Sequence, residues 1–191
     1  MSETRTLRRD ARDNVARIRS AALEIFLSKG LGAPLDEIAR SAGVSAGTLY
    51  NRFGSREGLI DAVVPEVAGA RLHELGQRVA AGTSTRARLE TFVHGMIDLQ
   101  VHDPALNDAI LRRFPGAVAL VDVCDRAGEL GTRLVDEAHA DGSLVPEFTA
   151  DDLLALLWLA GTASREPAAP GSWRRVVDRA LASAWATRAR V

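Results

Sequence analysis

Residues 35–53 read LDEIARSAGVSAGTLYNRF, and their spacing predicts two short helices joined by a tight turn. Leu35, Ile38, Ala39 and Ala42 form an apolar stripe at helical spacing that stops at Gly43. Gly43 suits the turn because it tolerates a positive φ. Ala39 is small enough for the helices to cross closely, and Val44 and Leu49 fill the space between them. Ser45 is a good N-cap for the second helix. This is the spacing of a helix-turn-helix, in which the second helix lies in the major groove of DNA. With Leu49 inward, that helix turns Ala46, Gly47, Thr48, Tyr50, Asn51 and Arg52 outward. The hydroxyls of Thr48 and Tyr50 can donate to phosphate oxygens, Asn51 and Arg52 can bond base edges or backbone, and Ala46 and Gly47 permit close approach.

Outward from this stretch the pattern stays helical. Val15, Ile18, Ala22, Ile25 and Phe26 mark a first helix over 14–29, closed by Gly30. Pro34 suits the first turn of the next helix. Gly54 breaks the reading helix, Ser55 caps a fourth helix over 56–64, and Pro65 marks its kink or its end. Further helices are predicted over 65–81, 85–102, 104–113, 115–140 and, capped by Thr149, to about Ser164. A loop with Pro167 and Pro170 precedes a last helix after Ser172. The chain is 47% hydrophobic but only 5% aromatic, and its abundant Ala, Leu and Arg favour helix over strand. The expected fold is all-α, with an N-terminal helix-turn-helix domain over 1–58 and a larger helical domain over 59–191.

Charge supports this division without deciding it. The formal net charge is -1. Residues 1–64 carry a net of +2 and residues 65–191 a net of -3, with Arg8, Arg9 and Arg12 forming a basic lead-in that is either a DNA-touching arm or a soluble tail. The uncharged apolar run from Leu153 to Ala163 falls short of the roughly 20 residues a membrane span needs. Cys124, the single cysteine, cannot form an intramolecular disulfide, and the first residues lack a signal-peptide pattern, so a cytoplasmic protein is expected.

At residue level, 13–64 resembles the DNA-binding domain of the TetR family of transcriptional repressors. The matching elements are the first helix ending at Gly30, Leu35-Asp36-Glu37-Ile38-Ala39, Ala42-Gly43-Val44-Ser45, Gly47-Thr48-Leu49-Tyr50, Phe53, and Ser55-Arg56-Glu57 with Leu59. The resemblance implies that Thr48 and Tyr50 grip phosphates and that Arg56, where the family more often has Lys, does likewise. Gly58 departs from the pattern and costs roughly 1 kcal/mol relative to Ala inside a helix. The resemblance also implies an effector cavity among the middle helices, for which Phe92, Met96, Leu99, Phe114, Leu120 and Trp158 are candidates, each of which could equally be ordinary core.

Competing readings are weaker. Gly43-Val44-Ser45-Ala46-Gly47 matches the G-x-S-x-G elbow of hydrolases, but helical periodicity precedes Ser45 where that elbow needs a strand. His73, His94, His102 and His139 are too scattered for a metal site, so neither metal, cofactor nor catalytic residue is expected. Cys124 reads as a small hydrophobe within a long helix rather than a redox sensor.

The segment 153–163 is apolar almost all round and needs cover on more than one side. The last helix offers one stripe. Leu157, Trp173, Val177, Leu181 and Trp185 are therefore expected at a twofold interface, where two copies of this helix pair form a four-helix bundle. The sequence thus reads as a homodimeric DNA-binding regulator with double-stranded DNA and a small-molecule effector as partners. The leading form is a repressor whose effector tilts its two DNA-reading heads off a palindromic operator. An activator or corepressor-dependent regulator of the same fold is the alternative.

Overall fold

The computed structural model describes residues 2–186, with side chains from residue 12 on. Among the described residues the order is α1 (Ser2–Lys29), α2 (Leu35–Ser41), α3 (Ala46–Phe53), α4 (Arg56–Val63), α5 (Pro65–Ala80), α6 (Thr85–His102), α7 (Pro104–Ile110), α8 (Val118–Ala140), α9 (Ala150–Arg165) and α10 (Trp173–Ser183). The β-type pairing among them is a single bridge between Leu144 and Trp185. The fold is all-α, as expected. Pro65 follows the end of α4 and opens α5, as read from the sequence, while two boundaries differ: α1 begins well before Asn14, and 111–117 separates α7 from α8. Pro115 and Gly116 lie in that last break, where neither favours a continuing helix. The side chains of Arg8 and Arg9 lie outside the described residues; Arg12 is exposed.

The chain forms two compact units. One gathers the chain up to Ala68 with Asp103–Asp122; the other gathers Gly69–His102 with the chain from Val123 on. The first unit thus extends past the division read at 58/59 and includes a returning segment. In it, α1 packs on α2, α4 and α7. Its core follows from the spacing of Ile18, Ala22 and Phe26 on one face of α1, all 0% exposed, and Ile38, Leu49, Leu59 and Ile60 of α2, α3 and α4 are also 0% exposed. Each such large side chain contributes roughly 1.5–3 kcal/mol by leaving water.

Polar caps explain why α7 and the start of α8 belong to this unit. The Leu31 amide donates to Asp108 Oδ2 at 2.8 Å, and Arg113 Nε lies 3.5 Å from Asp108 Oδ1. The close approach requires glycine at position 30. Its φ is +90°, and a Cβ there would sit 2.6 Å from Asp108 Oδ2. Asp61 of α4 caps α8, accepting from the amides of Leu120 at 3.2 Å and Ala119 at 3.3 Å. A carboxylate there satisfies orphan donors and meets the positive end of the helix dipole.

In the second unit α6 packs on α9 and α9 on α10. Gly131 of α8 makes room for the core: a Cβ there would fall 2.8 Å from Phe92 and 3.0 Å from Leu153. Buried Gln100 donates to the Leu157 carbonyl at 3.2 Å. Thr149 and Asp152 form a capping box at the start of α9. The hydrogen bonds from Thr149 hold the Asp152 carboxyl below its usual range, so the box persists until the pH falls through that lowered value.

Candidate nucleic-acid interface

The turn between α2 and α3 is built as its residues require. Gly43 has φ +66°, and the Val44 amide donates back to the Ala39 carbonyl at 3.0 Å. Ser45 then caps α3: its hydroxyl accepts from the Thr48 amide at 3.1 Å and lies 2.9 Å from Thr48 Oγ1. The nucleophile-elbow reading of Ser45 loses its context, since the segment before it is helix α2 and Ser45 is a helix cap.

On α3, Leu49 alone is buried. Gly47, Tyr50, Asn51 and Arg52 are exposed, Tyr50 at 49%, while Ala46 and Thr48 are half-buried. The outward set named from the sequence therefore shares one short helix, with Leu49 as its anchor. Gly47 faces open space, with only Ser45 Oγ, at 3.8 Å, near an added Cβ. Packing does not demand glycine there, and close approach of another backbone is the use it leaves open.

Two residues of α1 border the same surface and are not singled out by sequence reasoning. Asn14 lines a shallow hollow of about 260 Å³ with Thr48, Asn51 and Arg52. Arg17 donates to Asn14 Oδ1, and a Cβ on Gly43 would come within 3.2 Å of its Nη1. The usable signal is the exposed polar edge of α1 beside Val15 and Ile18, which periodicity assigns only to solvent.

Arg56, expected on phosphate, has partners within its own chain: its Nη1 donates to the Leu31 carbonyl at 2.8 Å and the Ala33 carbonyl at 2.6 Å, and its guanidinium lies 5.9 Å from the Phe114 ring centroid. The planar guanidinium suits this joint use of carbonyls and ring better than an ammonium. Gly58 also has a reason the sequence hid, because a Cβ there would lie 2.2 Å from the Phe53 carbonyl oxygen. Gly58→Ala is accordingly expected to lower the stability of the full-length protein by about 1–3 kcal/mol of overpacking, beyond the ~1 kcal/mol gained in helix propensity. Chemical denaturation checks this; an upward shift of the midpoint would show that the Phe53 carbonyl yields.

In the second unit Phe92 and Met96 line a cleft of about 530 Å³ formed with α5 and α8. The other cavity candidates lie elsewhere. Leu99 is half-buried outside the lining, and Trp158 is 53% exposed. Phe114 and Leu120 belong to the first unit, under Arg56 and on Asp61 respectively.

The residues expected at a twofold interface are mostly buried within their own chain. Leu157, Val177, Leu181 and Trp185 are at most 6% exposed in their own chain, and Trp173 is half-buried beside Arg174. The apolar stripe of α10 is used against its own chain, where α9 and α10 pack. What remains uncovered is Leu154, Trp158, Leu159 and Val176, each 46–59% exposed.

The four histidines have separate partners: His73 with Gln77, His94 with Asp178, His102 with the Asp98 carbonyl and His139 with the Val145 carbonyl. No cluster of three metal-ligating side chains occurs among the described residues.

Comparison with known proteins agrees with this geometry. A family model described as "Bacterial regulatory proteins, tetR family" matches residues 18–63, from the buried face of α1 to the end of α4. The chain is 34% identical over 96 residues to the uncharacterized HTH-type transcriptional regulator TtgW of Pseudomonas putida, covering 50% of this chain and 68% of TtgW. It is also 34% identical over 96 residues to the HTH-type transcriptional regulator SrpR of Pseudomonas putida, of which it covers 43%. The crystal structure of the TetR transcription regulatory protein from Mycobacterium vanbaalenii superposes with a TM-score of 0.51 at 26% identity, covering 94% of this chain and 99% of that one. With the helix-turn-helix in place and a regulator of this kind matched over two thirds of its length, the chain belongs to the TetR family of bacterial transcriptional regulators.

Proposed function

We propose that this regulator is a repressor that binds a palindromic operator as a homodimer and leaves it when a small molecule occupies the α5–α6–α8 cleft. The observation that carries DNA binding is the α3 face: Leu49 holds the helix from behind while Tyr50, Asn51 and Arg52 stand exposed. Thr48 and Tyr50 fix the protein on phosphates, and Asn51 and Arg52 read base edges. Arg17 and Asn14 of α1 extend the phosphate contacts, a task that passes from Arg56 to them.

The second copy covers Leu154 and Trp158, one turn apart on α9, with Leu159 and Val176. Exposed apolar side chains this large, grouped on α9 and α10, support an interface rather than a solvated surface. Twofold pairing there matches the symmetry of a palindrome. α8 carries residues of both compact units in one uninterrupted helix, from the end capped by Asp61 to the cleft-lining Val123 and Arg133. That helix is a covalent route from effector to reading head. Operation on DNA places the protein in the cytoplasm, and no described helix is long and apolar enough to cross a membrane.

Tyr50→Ala tests the phosphate assignment. Binding to operator and to random duplex should weaken together at matched salt, with the log-log salt slope unchanged, because a neutral hydroxyl that grips a phosphate releases no counterion. Parental affinity for the variant on both duplexes would remove Tyr50 from the interface.

A further inference from the structure

We propose that the effector is an organic anion with an apolar body, its acid group held by Arg126 and Arg133 at the rim of the α5–α6–α8 cleft. This rests on the reading that the cleft is the effector site. The cleft of about 530 Å³ is of small-molecule size.

Its lining divides sharply by chemistry. Leu72, Phe92, Met96 and Leu130 supply an apolar wall, and the lining contains no Asp or Glu. Both charged groups that line it are arginines of α8. Seven residues apart, they project from the same face of the helix about 10 Å from one another along its axis. The Arg126 side chain makes no hydrogen bond or ion pair with another described residue. Arg133 has Glu129 at 4.0 Å, with side chains 60% and 68% exposed, a contact too solvated to neutralise it. His73 is occupied by Gln77 at 3.1 Å.

The space is left open by glycine. Gly69 and Gly76 of α5 both line the cleft, and an added Cβ at either would meet nothing within 4 Å. Each glycine weakens α5 by roughly 1 kcal/mol relative to Ala, without any close neighbour that demands it. An apolar hollow whose charges are two guanidinium groups favours a ligand that brings a carboxylate or similar acid to the rim and buries a hydrocarbon body. A cation would meet like charge, and a neutral apolar molecule would leave the arginines unused.

Dodecanoate and its neutral counterpart dodecan-1-ol are suitable probes, titrated calorimetrically into the full-length protein. Dodecanoate is expected to bind at least tenfold tighter than the alcohol. The Arg126→Gln/Arg133→Gln double variant should abolish that preference while keeping the parental melting temperature, since both side chains are exposed. Gly76→Leu, which fills the cleft, should remove binding of both. Equal binding of acid and alcohol, with Gly76→Leu abolishing both, would overturn the anion assignment and leave the effector site in place. A preference that survives in the double variant would overturn the role of the arginines. If neither probe binds, or Gly76→Leu changes neither, both the anion assignment and the effector-site reading fail.

Discussion

Trp158→Glu is expected to convert the protein to monomers at micromolar concentration while leaving each chain folded. Trp158 is 53% exposed in the single chain, so the substitution removes little from the protomer's own core, and surface changes of this kind usually stay within about 0.5 kcal/mol. In the proposed dimer the same position would place a carboxylate in an apolar interface, where an unpaired charge is strongly unfavourable. Operator binding should fall with it. A dimer engages two half-sites at once, and linking two modest contacts strengthens binding by roughly 10²–10⁴-fold. Sedimentation reads the mass, circular dichroism the helix content, and a DNA titration the affinity. A variant that remains dimeric would show that the second copy covers another surface. Leu157→Glu makes the control: Leu157 is 4% exposed, and a charge there should unfold the chain rather than separate two folded ones.

The second large effect is expected at Leu49. It is 0% exposed and is the one buried residue of α3, so this short helix has a single deep anchor. Truncation to Ala should cost about 2–5 kcal/mol through reduced burial and the cavity left behind, a large share of the 5–15 kcal/mol typical of a whole domain. Urea denaturation should show the midpoint falling by a corresponding amount. An unchanged midpoint would mean that α3 is seated by other contacts and that its outward face is different from the one described.

Leu49 also shows why the reading helix is legible in the sequence. It is the one large apolar residue between Val44 and Phe53 other than Tyr50, and the glycine turn before it sets the phase, so only one rotation of α3 buries it. α9 offers no such phase. Leu153, Leu154, Leu156, Leu157, Trp158 and Leu159 circle the helix, and periodicity cannot choose the face that meets its own chain. Leu157, expected between chains, is core, while Trp158 beside it stands exposed. On α10 the stripe itself is plain in the sequence, but a stripe does not say whether it is used within the chain or between chains.

The partners of Arg56 are hidden from the sequence for a different reason. Its charge and its place at the start of α4 are visible, but its partners are carbonyls of Leu31 and Ala33, over 20 positions earlier, and their direction follows from tertiary packing. Gly58 is similar: helix propensity counts it as a cost, whereas the Phe53 carbonyl leaves no room for a side chain. The cleft is least legible of all, because part of what shapes it is the absence of side chains at Gly69 and Gly76.

The central claim is that two copies of the α3 surface read DNA together. Selection of bound duplexes from a random-sequence pool by the full-length protein, followed by footprinting on the selected sequence, tests it most directly. The account predicts an inverted repeat protected at two half-sites whose centres lie one helical turn, about 34–36 Å, or a multiple apart, with protection abolished in Tyr50→Ala. Enrichment of no sequence, or protection of a single half-site without dyad symmetry that Tyr50→Ala leaves intact, would contradict it.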